Sequence, residues 1–164
     1  MKQFEDRTLV VQINMNPAYL GEVLRRVLVA YGRKARSGGM EFALVFLVLP
    51  LVLHRDTRLS FPLKTNKYFS TWMAEHPEIQ LALGQRVRKL VPYTREALAF
   101  MILHSDLIID KDGNVSIAGK NHKNISERTE TDSAQLIVDA EKLGKWMAGF
   151  PDAASLYSAL NLTV

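Results

Sequence analysis

An apolar run that leads straight into a basic segment constrains this chain more than any other feature. Residues 41–62 read EFALVFLVLPLVLHRDTRLSFP, and the twelve residues 42–53 carry no charge. A helix needs about 20 apolar residues to cross a hydrocarbon core, so this run predicts a buried core element instead. Pro50 removes a backbone donor and clashes with the preceding turn, and we expect a helix that is kinked or broken there.

The length and composition predict one domain in a reducing compartment. A chain of 164 residues can bury a core without metal or disulfide staples. The chain has no cysteine, which excludes a disulfide framework, a thiolate metal site and a cysteine nucleophile, and favours the cytoplasm. The first residues, MKQFEDRTLVVQIN, carry acidic groups and lack a small-residue cleavage site. We therefore expect neither a signal peptide nor a membrane partner.

Charge is distributed unevenly along the chain. Residues 1–123 hold 18 Lys and Arg against 11 Asp and Glu, a net of +7, whereas residues 124–164 hold 3 against 6, a net of −3. The basic part is suited to phosphate or to an acidic protein partner. A solvated surface of alternating charge explains the pI of about 9.4 equally well.

The first helix is predicted upstream of the apolar run. Asn16 is suited to accept a hydrogen bond from a free amide at the helix start, and Pro17 pre-sets φ at the next position. The other side of this helix carries Glu22, Arg25 and Arg26. Six apolar side chains at helical spacing form its continuous apolar face: Leu20, Val23, Leu24, Val27, Leu28 and Tyr31.

Three further helices are predicted after the apolar run. A short helix is capped by Thr65 or Asn66, and a second begins at Pro77 and ends before Pro92, which prevents its continuation. The third, capped by Thr94, is apolar on nearly every side, so we expect it to be the most buried. The residues that we expect to be buried on the most apolar helical faces are Leu24, Leu28, Val45, Leu49, Leu98 and Ile102.

A β-hairpin is predicted next, because Asp-Gly between β-branched runs is a strong turn signal. Its strands are residues 107–110 and 115–118, joined by a turn at 111–114. Three successive helices and a hairpin are the outline of a winged helix. The helix before this wing, residues 96–103, is too apolar to read bases, so a winged helix here would serve chiefly for protein contact. The predicted fold is mainly α, a winged-helix-like single domain with C-terminal helices.

The C-terminal part is predicted to be helical. The polar stretch 119–132 reads as a loop that separates the helical core and hairpin of residues 14–118 from the C-terminal helices of residues 133–164. Asp132 or Ser133 caps the first of these helices, and Asp152 opens the last one. Residues 162–164 form a possible edge strand. The apolar side chains expected on the inner faces are Leu136, Ala140, Leu143, Met147, Leu156, Tyr157 and Leu160.

No catalytic motif in this chain is complete. Residues 54–56, His-Arg-Asp, imitate the catalytic loop of protein kinases, but Phe61 stands where that loop needs an asparagine. Residues 113–120 have one residue too many for a P-loop. The four histidines, at 54, 76, 104 and 122, are 18 or more residues apart, which does not fit a metal site. We therefore predict no catalytic, metal-binding or cofactor-binding residue, and a protein that is not an enzyme.

Three segments in order carry a resemblance to a known family: residues 16–19 (NPAY), residues 41–62, and residues 90–98 (LVPYTREAL). From about residue 14 to its end, the chain resembles the middle component of bacterial ABC three-component conflict systems, the class that includes Lamassu-type anti-phage defence. The resemblance implies a small adaptor between an SMC-like ABC ATPase and an effector such as a nuclease. The adaptor would hold the effector inactive until DNA engages the ATPase, and DNA would be contacted through the complex.

The candidate contact residues are cations and aromatics. The cations follow the first helix or the apolar run and suit phosphate or an acidic partner, although those near a helix C-terminus also offset the helix dipole: Arg33, Lys34, Arg36, Arg55, Arg58, Lys64 and Lys67. The aromatics suit an interface, although each suits the core as well: Tyr19, Phe69, Trp72, Trp146 and Phe150. The competing hypothesis is a stand-alone winged-helix regulator that binds nucleic acid.

Overall fold

A computed structural model describes residues 15–35, 38–119, 132–160 and 162. The predicted loop residues 120–131, the start of the predicted core at residue 14 and most of the predicted edge strand lie outside this part. The described elements, in chain order, are α1 (Pro17–Gly32), β1 (Met40–Glu41), α2 (Phe42–Val52), α3 (Arg55–Leu59), α4 (Phe69–Glu75), α5 (Pro77–Leu103), β2 (Leu107–Ile109), β3 (Asn114–Ile117), α6 (Asp132–Met147) and α7 (Ala153–Ala159). The prediction of a mainly α fold with a hairpin is confirmed.

Helix α1 begins as its sequence predicts and lies at the centre of the fold. The Asn16 Oδ1 accepts a hydrogen bond from the Ala18 backbone N–H at 2.8 Å, and Pro17 occupies the first turn. The predicted apolar face is buried against α5 and α6, with Tyr31 partly buried at its end. This burial contributes more to the helix than its intrinsic propensity does, because helices of this length are marginal in isolation.

Arg25 and Arg26 are buried, which their position opposite the apolar face of α1 did not predict. The Arg26 Nε donates to Glu22 at 2.7 Å and its Nη1 donates to Glu141 of α6 at 2.9 Å. Burial acts to raise the pKa of Glu22, but hydrogen bonds from Arg25 and Arg26 outweigh it and lower that pKa below its ordinary value. The ion pair between Arg26 and Glu141 joins α6 to α1, so α1 is packed between α5 and α6.

Helix α2 is the buried element that the apolar run predicts. Eight of its residues are buried, including Val45 and Leu49. The helix is not broken at Pro50 and continues to Val52, while the Leu53 backbone N–H donates to Leu49 O at 3.0 Å. Pro50 leaves the Phe46 carbonyl, four residues earlier, without its usual helical donor, and the burial of α2 outweighs this cost.

The prediction of two helices on either side of Pro92 is wrong, because α5 runs without a break for 27 residues. Residues on both sides of the proline, among them Leu83 and Leu98, are buried in the same core. Their burial against α1 and α2 outweighs the cost of about 3 kcal/mol for a proline within a helix. The Thr94 Oγ1 adds a side-chain hydrogen bond to Leu90 O at 3.0 Å within the turn that contains the proline.

The last turn of α5 is exposed, so the expectation that this segment would be the most buried is also wrong. Ile102 is 50% exposed and Leu103 is 82% exposed, whereas Leu98 and Met101 are buried. The segment is apolar all round, but among the described residues its main helical neighbours, α1 and α2, cover one side. The most buried of the described helices is α2.

Helix α4 also begins later than predicted. It starts at Phe69 with Tyr68 at its N-cap position, not with Thr65 or Asn66. Thr65 instead accepts hydrogen bonds from the Lys34 ammonium, at 3.0 Å to its Oγ1 and 3.2 Å to its backbone oxygen. Thr65 therefore takes part in a contact with Lys34, just after α1, and not in the start of α4.

The predicted hairpin is confirmed, with Leu107 opposite Ile117 and Ile109 opposite Val115. The Asp110 Oδ1 accepts from the backbone N–H groups of Asp112 and Asn114, which holds the turn. Met40 of β1 pairs with Val115 and adds a third strand, in the order β1-β3-β2, that was not predicted. The winged-helix outline is not confirmed, because two of its three helices are the single helix α5.

The C-terminal helices pack as predicted. All four inner residues expected for α6, from Leu136 to Met147, are buried. The Asp152 Oδ1 accepts from the Ser155 N–H at 2.9 Å and caps α7, whose inner residues are buried as well. Within the part of the chain that the structure describes, no helix combines the length and apolarity needed to cross a bilayer.

Two substitutions on α5 test whether its buried side contributes more to stability than its exposed end. Leu98→Ala should lower the free energy of unfolding by roughly 2–5 kcal/mol, because it leaves a cavity in the core. Ile102→Ala should cost less than about 1 kcal/mol, because half of the side chain is already in water. Urea denaturation of both variants measures the difference, and equal losses would contradict the placement of α5.

Candidate partner-binding surface

The cations after α2 do not share one environment. Arg55 and Lys64 are exposed, and neither side chain has an ion-pair or hydrogen-bond partner among the described residues. Arg58 points inward and is only 5% exposed. Its Nη1 donates to Val52 O at 2.9 Å and to Leu53 O at 3.3 Å, and its Nη2 donates to Asp132 at 3.1 Å.

Arg58 is therefore not exposed, and its predicted role as a contact residue stays a prediction. The last carbonyls of α2 have no helical donor, and α3 follows so closely that the Arg58 guanidinium reaches them. The Arg58 Nε lies 3.3 Å from the Asp139 Oδ2 of α6, close enough for an ion pair but without the geometry of a hydrogen bond. His54, part of the kinase-like tripeptide, caps α3 by accepting from the Thr57 N–H.

The remaining predicted cations are divided between internal contacts and solvent. Lys67 forms an ion pair with Glu75, and Lys34 is bound to Thr65. Arg33 is exposed, and its side chain has no partner among the described residues. Arg36 lies outside them. Of the seven predicted contact cations, Arg33, Arg55 and Lys64 are therefore the described ones that are exposed and have no internal partner.

Most of the predicted interface aromatics belong to one buried cluster. Trp72 and Trp146 lie edge to face with their ring centroids 5.1 Å apart, and the Phe69 and Phe150 centroids are 4.6 Å apart. The Trp72 Nε1 donates to Ser60 O at 2.8 Å, and the Trp146 Nε1 donates to Lys67 O at 2.7 Å. Phe69 and both tryptophans are buried, while Phe150 and Tyr19 are partly buried against the core.

An open apolar cleft lies between α2, α5 and α7, and we name it the α2–α5–α7 cleft. It encloses about 360 Å³. Its nine described lining residues are Phe42, Ala43, Phe46, Val87, Arg88, Val91, Arg95, Tyr157 and Leu162. Apolar side chains form its walls, and two arginines stand at its border. A second cleft of about 540 Å³, beside Tyr68 and Phe150, has no charged lining residue among those described.

Tyr157 sets the position of α7 in the α2–α5–α7 cleft. Its hydroxyl donates to Ala43 O at 2.9 Å, which ties α7 to the first turn of α2. Burial raises the pKa of Tyr157 to about 12, so the hydroxyl stays protonated and keeps donating even at alkaline pH. The ring is thereby held as a fixed wall of the cleft.

Metal ligands do not gather within the described residues, where no three His, Asp or Glu side chains are placed to hold an ion. A model of the family described as ABC-three component (ABC-3C) system Middle Component 3, MC3, matches residues 4–164. The chain belongs to the MC3 family. The predicted membership among middle components of ABC three-component systems is confirmed. No curated protein and no solved structure matches the chain.

The α2–α5–α7 cleft of this MC3 chain was missed by sequence reasoning. Arg88 and Arg95 were assigned to two different helices, so their common face on α5 was not recognised. The sequence signal for the cleft is the seven-residue spacing of Arg88 and Arg95, with Val87 and Val91 nearby on the same helix. This pattern is visible only when the residues on both sides of Pro92 are treated as one helix. A Cβ on Gly84 would lie 2.8 Å from the Leu162 Cδ2, so the glycine leaves the space that this wall residue occupies.

Proposed function

We propose that this MC3 protein is a non-enzymatic adaptor that couples an SMC-like ABC ATPase to an effector, such as a nuclease, in a cytoplasmic defence complex of the Lamassu-like kind. The observation that carries the proposal is the family match over residues 4–164, which makes the chain one component of a three-component system. A component that acts through others needs contact surfaces. Apolar side chains on the described surface supply candidates, among them Tyr68, Leu81 and Leu103.

Co-expression with the two neighbouring genes tests the adaptor role. We expect the three proteins to elute together at a fixed stoichiometry in size-exclusion chromatography with light scattering. The ATPase and the effector should associate less well when this chain is left out, since an adaptor provides contacts to both. Independent elution of this chain from both neighbours would overturn the proposal.

The purified chain alone is expected to hydrolyse neither ATP nor DNA, with or without divalent metal. Steady-state phosphate release and cleavage of a labelled duplex measure these two activities. An activity that is lost on replacing a single His or Asp of this chain, such as His54 or Asp56, would show that the chain is an enzyme and would contradict the adaptor role.

Direct phosphate contact is the second proposed role, and the three exposed cations favour it. Arg33→Glu, Arg55→Glu and Lys64→Glu together should weaken DNA binding by the complex and flatten its salt dependence, since each phosphate contact adds about −0.9 to the log–log slope. The melting temperature should change little, because exposed charges contribute little to stability. An unchanged slope would exclude these residues from DNA contact, and salt-dependent binding by the chain alone would favour the stand-alone regulator.

A further inference from the structure

Two arginines, Arg88 and Arg95, border the α2–α5–α7 cleft. Arg88 and Arg95 are exposed, and neither side chain has a hydrogen bond or an ion pair among the described residues. None of the nine described lining residues is acidic. Seven residues along a helix are about 10.5 Å, close to two full turns, so both guanidinium groups project from the same face of α5.

An apolar floor lies between the two cations. Val87 and Val91 come from the same face of α5, and Phe42 and Phe46 of α2 lie opposite them. The two phenylalanine rings pack edge to face at 5.4 Å, yet Phe42 remains 40% exposed. Exposed aromatic rings beside arginine are characteristic of the residues that carry binding energy at protein interfaces.

We propose that the α2–α5–α7 cleft binds an acidic, amphipathic segment of another subunit of the three-component system. An aromatic or branched aliphatic side chain of that segment enters the cleft. Two carboxylates about 10 Å apart, the separation of positions i and i+7 on a helix, pair with Arg88 and Arg95. The inference rests on the adaptor function proposed above and names the chemistry of its partner.

The size and charge of the cleft both favour this occupant. Its volume of about 360 Å³ is at the lower end of the roughly 300–1,000 Å³ typical of ligand pockets, so it takes a few side chains and not a folded element. Arginine forms planar, bidentate pairs with carboxylates, which gives a carboxylate-bearing segment orientation as well as affinity. The larger cleft beside Tyr68 offers no such charge to specify an occupant.

Charge reversal at the cleft tests the acidic part of the proposal. Arg88→Glu with Arg95→Glu should weaken binding to the purified ATPase or effector subunit about tenfold, as expected from the loss of two exposed ion pairs. The matched control is Lys89→Glu with Lys145→Glu, which changes the net charge equally at exposed positions outside the cleft. Isothermal titration calorimetry gives the affinities, and thermal melting checks that each variant is folded.

A second variant tests the apolar part. Phe42→Ala should weaken the same complex several-fold, and the loss should persist at high salt because it does not depend on charge. Replacing the acidic residues of the bound segment by lysine should restore binding to the Arg88→Glu, Arg95→Glu variant and weaken binding to the parent. If the cleft variant bound poorly because it was misfolded, a change of charge in the bound segment would not restore the binding.

The outcomes separate this inference from the function on which it rests. If both subunits bind the cleft variants as tightly as the parent, the proposed occupant is wrong and the adaptor function stands. If the control variant loses as much affinity as the cleft variant, the effect is one of net charge and the inference is overturned. If neither subunit binds the parent, the adaptor function and the inference fail together.

Discussion

Replacing Arg58 by alanine is expected to lower the free energy of unfolding by about 3 kcal/mol, at the lower end of the cost of removing one partner of a buried ion pair. The substitution leaves the carbonyls of Val52 and Leu53 without their side-chain donor. It also leaves the Asp139 carboxylate, 14% exposed, without its cation. Urea denaturation monitored by circular dichroism measures the change.

Arg55→Ala is the matched control, because Arg55 lies on the same short helix and its exposed side chain has no partner among the described residues. Its expected cost is within about 0.5 kcal/mol. A double-mutant cycle with Asp139→Ala isolates the ion pair from the carbonyl contacts. Equal stability of the Arg58 and Arg55 variants, together with lost partner binding by the Arg58 variant alone, would make Arg58 a contact residue after all.

Gly144→Ala is expected to destabilise the protein by about 2–4 kcal/mol, the range of severe overpacking. A Cβ at this position would lie 2.2 Å from the Val27 backbone oxygen and 3.0 Å from the Ala30 Cβ. Helices α1 and α6 must then move apart, which also stretches the Arg26–Glu141 ion pair between them. Alanine favours a helix over glycine by about 1 kcal/mol, which offsets only part of this cost.

Two other glycines provide graded controls for this prediction. Gly149→Ala should have little effect, since its added Cβ would meet only the Trp146 backbone oxygen at 3.5 Å, an ordinary contact. Gly84→Ala should be intermediate, because the obstructing atom belongs to the flexible Leu162 side chain. Thermal and urea unfolding should therefore rank the losses as Gly144, then Gly84, then Gly149. A Gly144 variant as stable as the Gly149 variant would contradict the close approach of α1 and α6.

Local signals in the sequence determined several elements of this protein correctly. Asn16 and Asp152 begin helices because their side chains satisfy amides two or three residues ahead. Asp110 and Gly113 form the hairpin turn, the glycine with a φ of +79° that suits a residue without a Cβ. Interactions this close in the chain act wherever the segment lies in the fold. The resemblance to ABC three-component middle components also rests on local segments, and it indicated the class of system to which the MC3 family belongs.

Only the tertiary structure decided the features in which distant residues meet. Helix α5 crosses Pro92 because both of its halves are buried against α1 and α2. Arg58 turns inward because Asp132 and Asp139, more than 70 residues later in the chain, come to lie beside the end of α2. The apolar pattern of the sequence predicts that a side chain will be buried, but it does not say what will cover it. For the same reason the α2–α5–α7 cleft and the two arginines at its border appear only when three separate helices are assembled, because burial and charge pairing depend on distances in space and not on spacing along the chain.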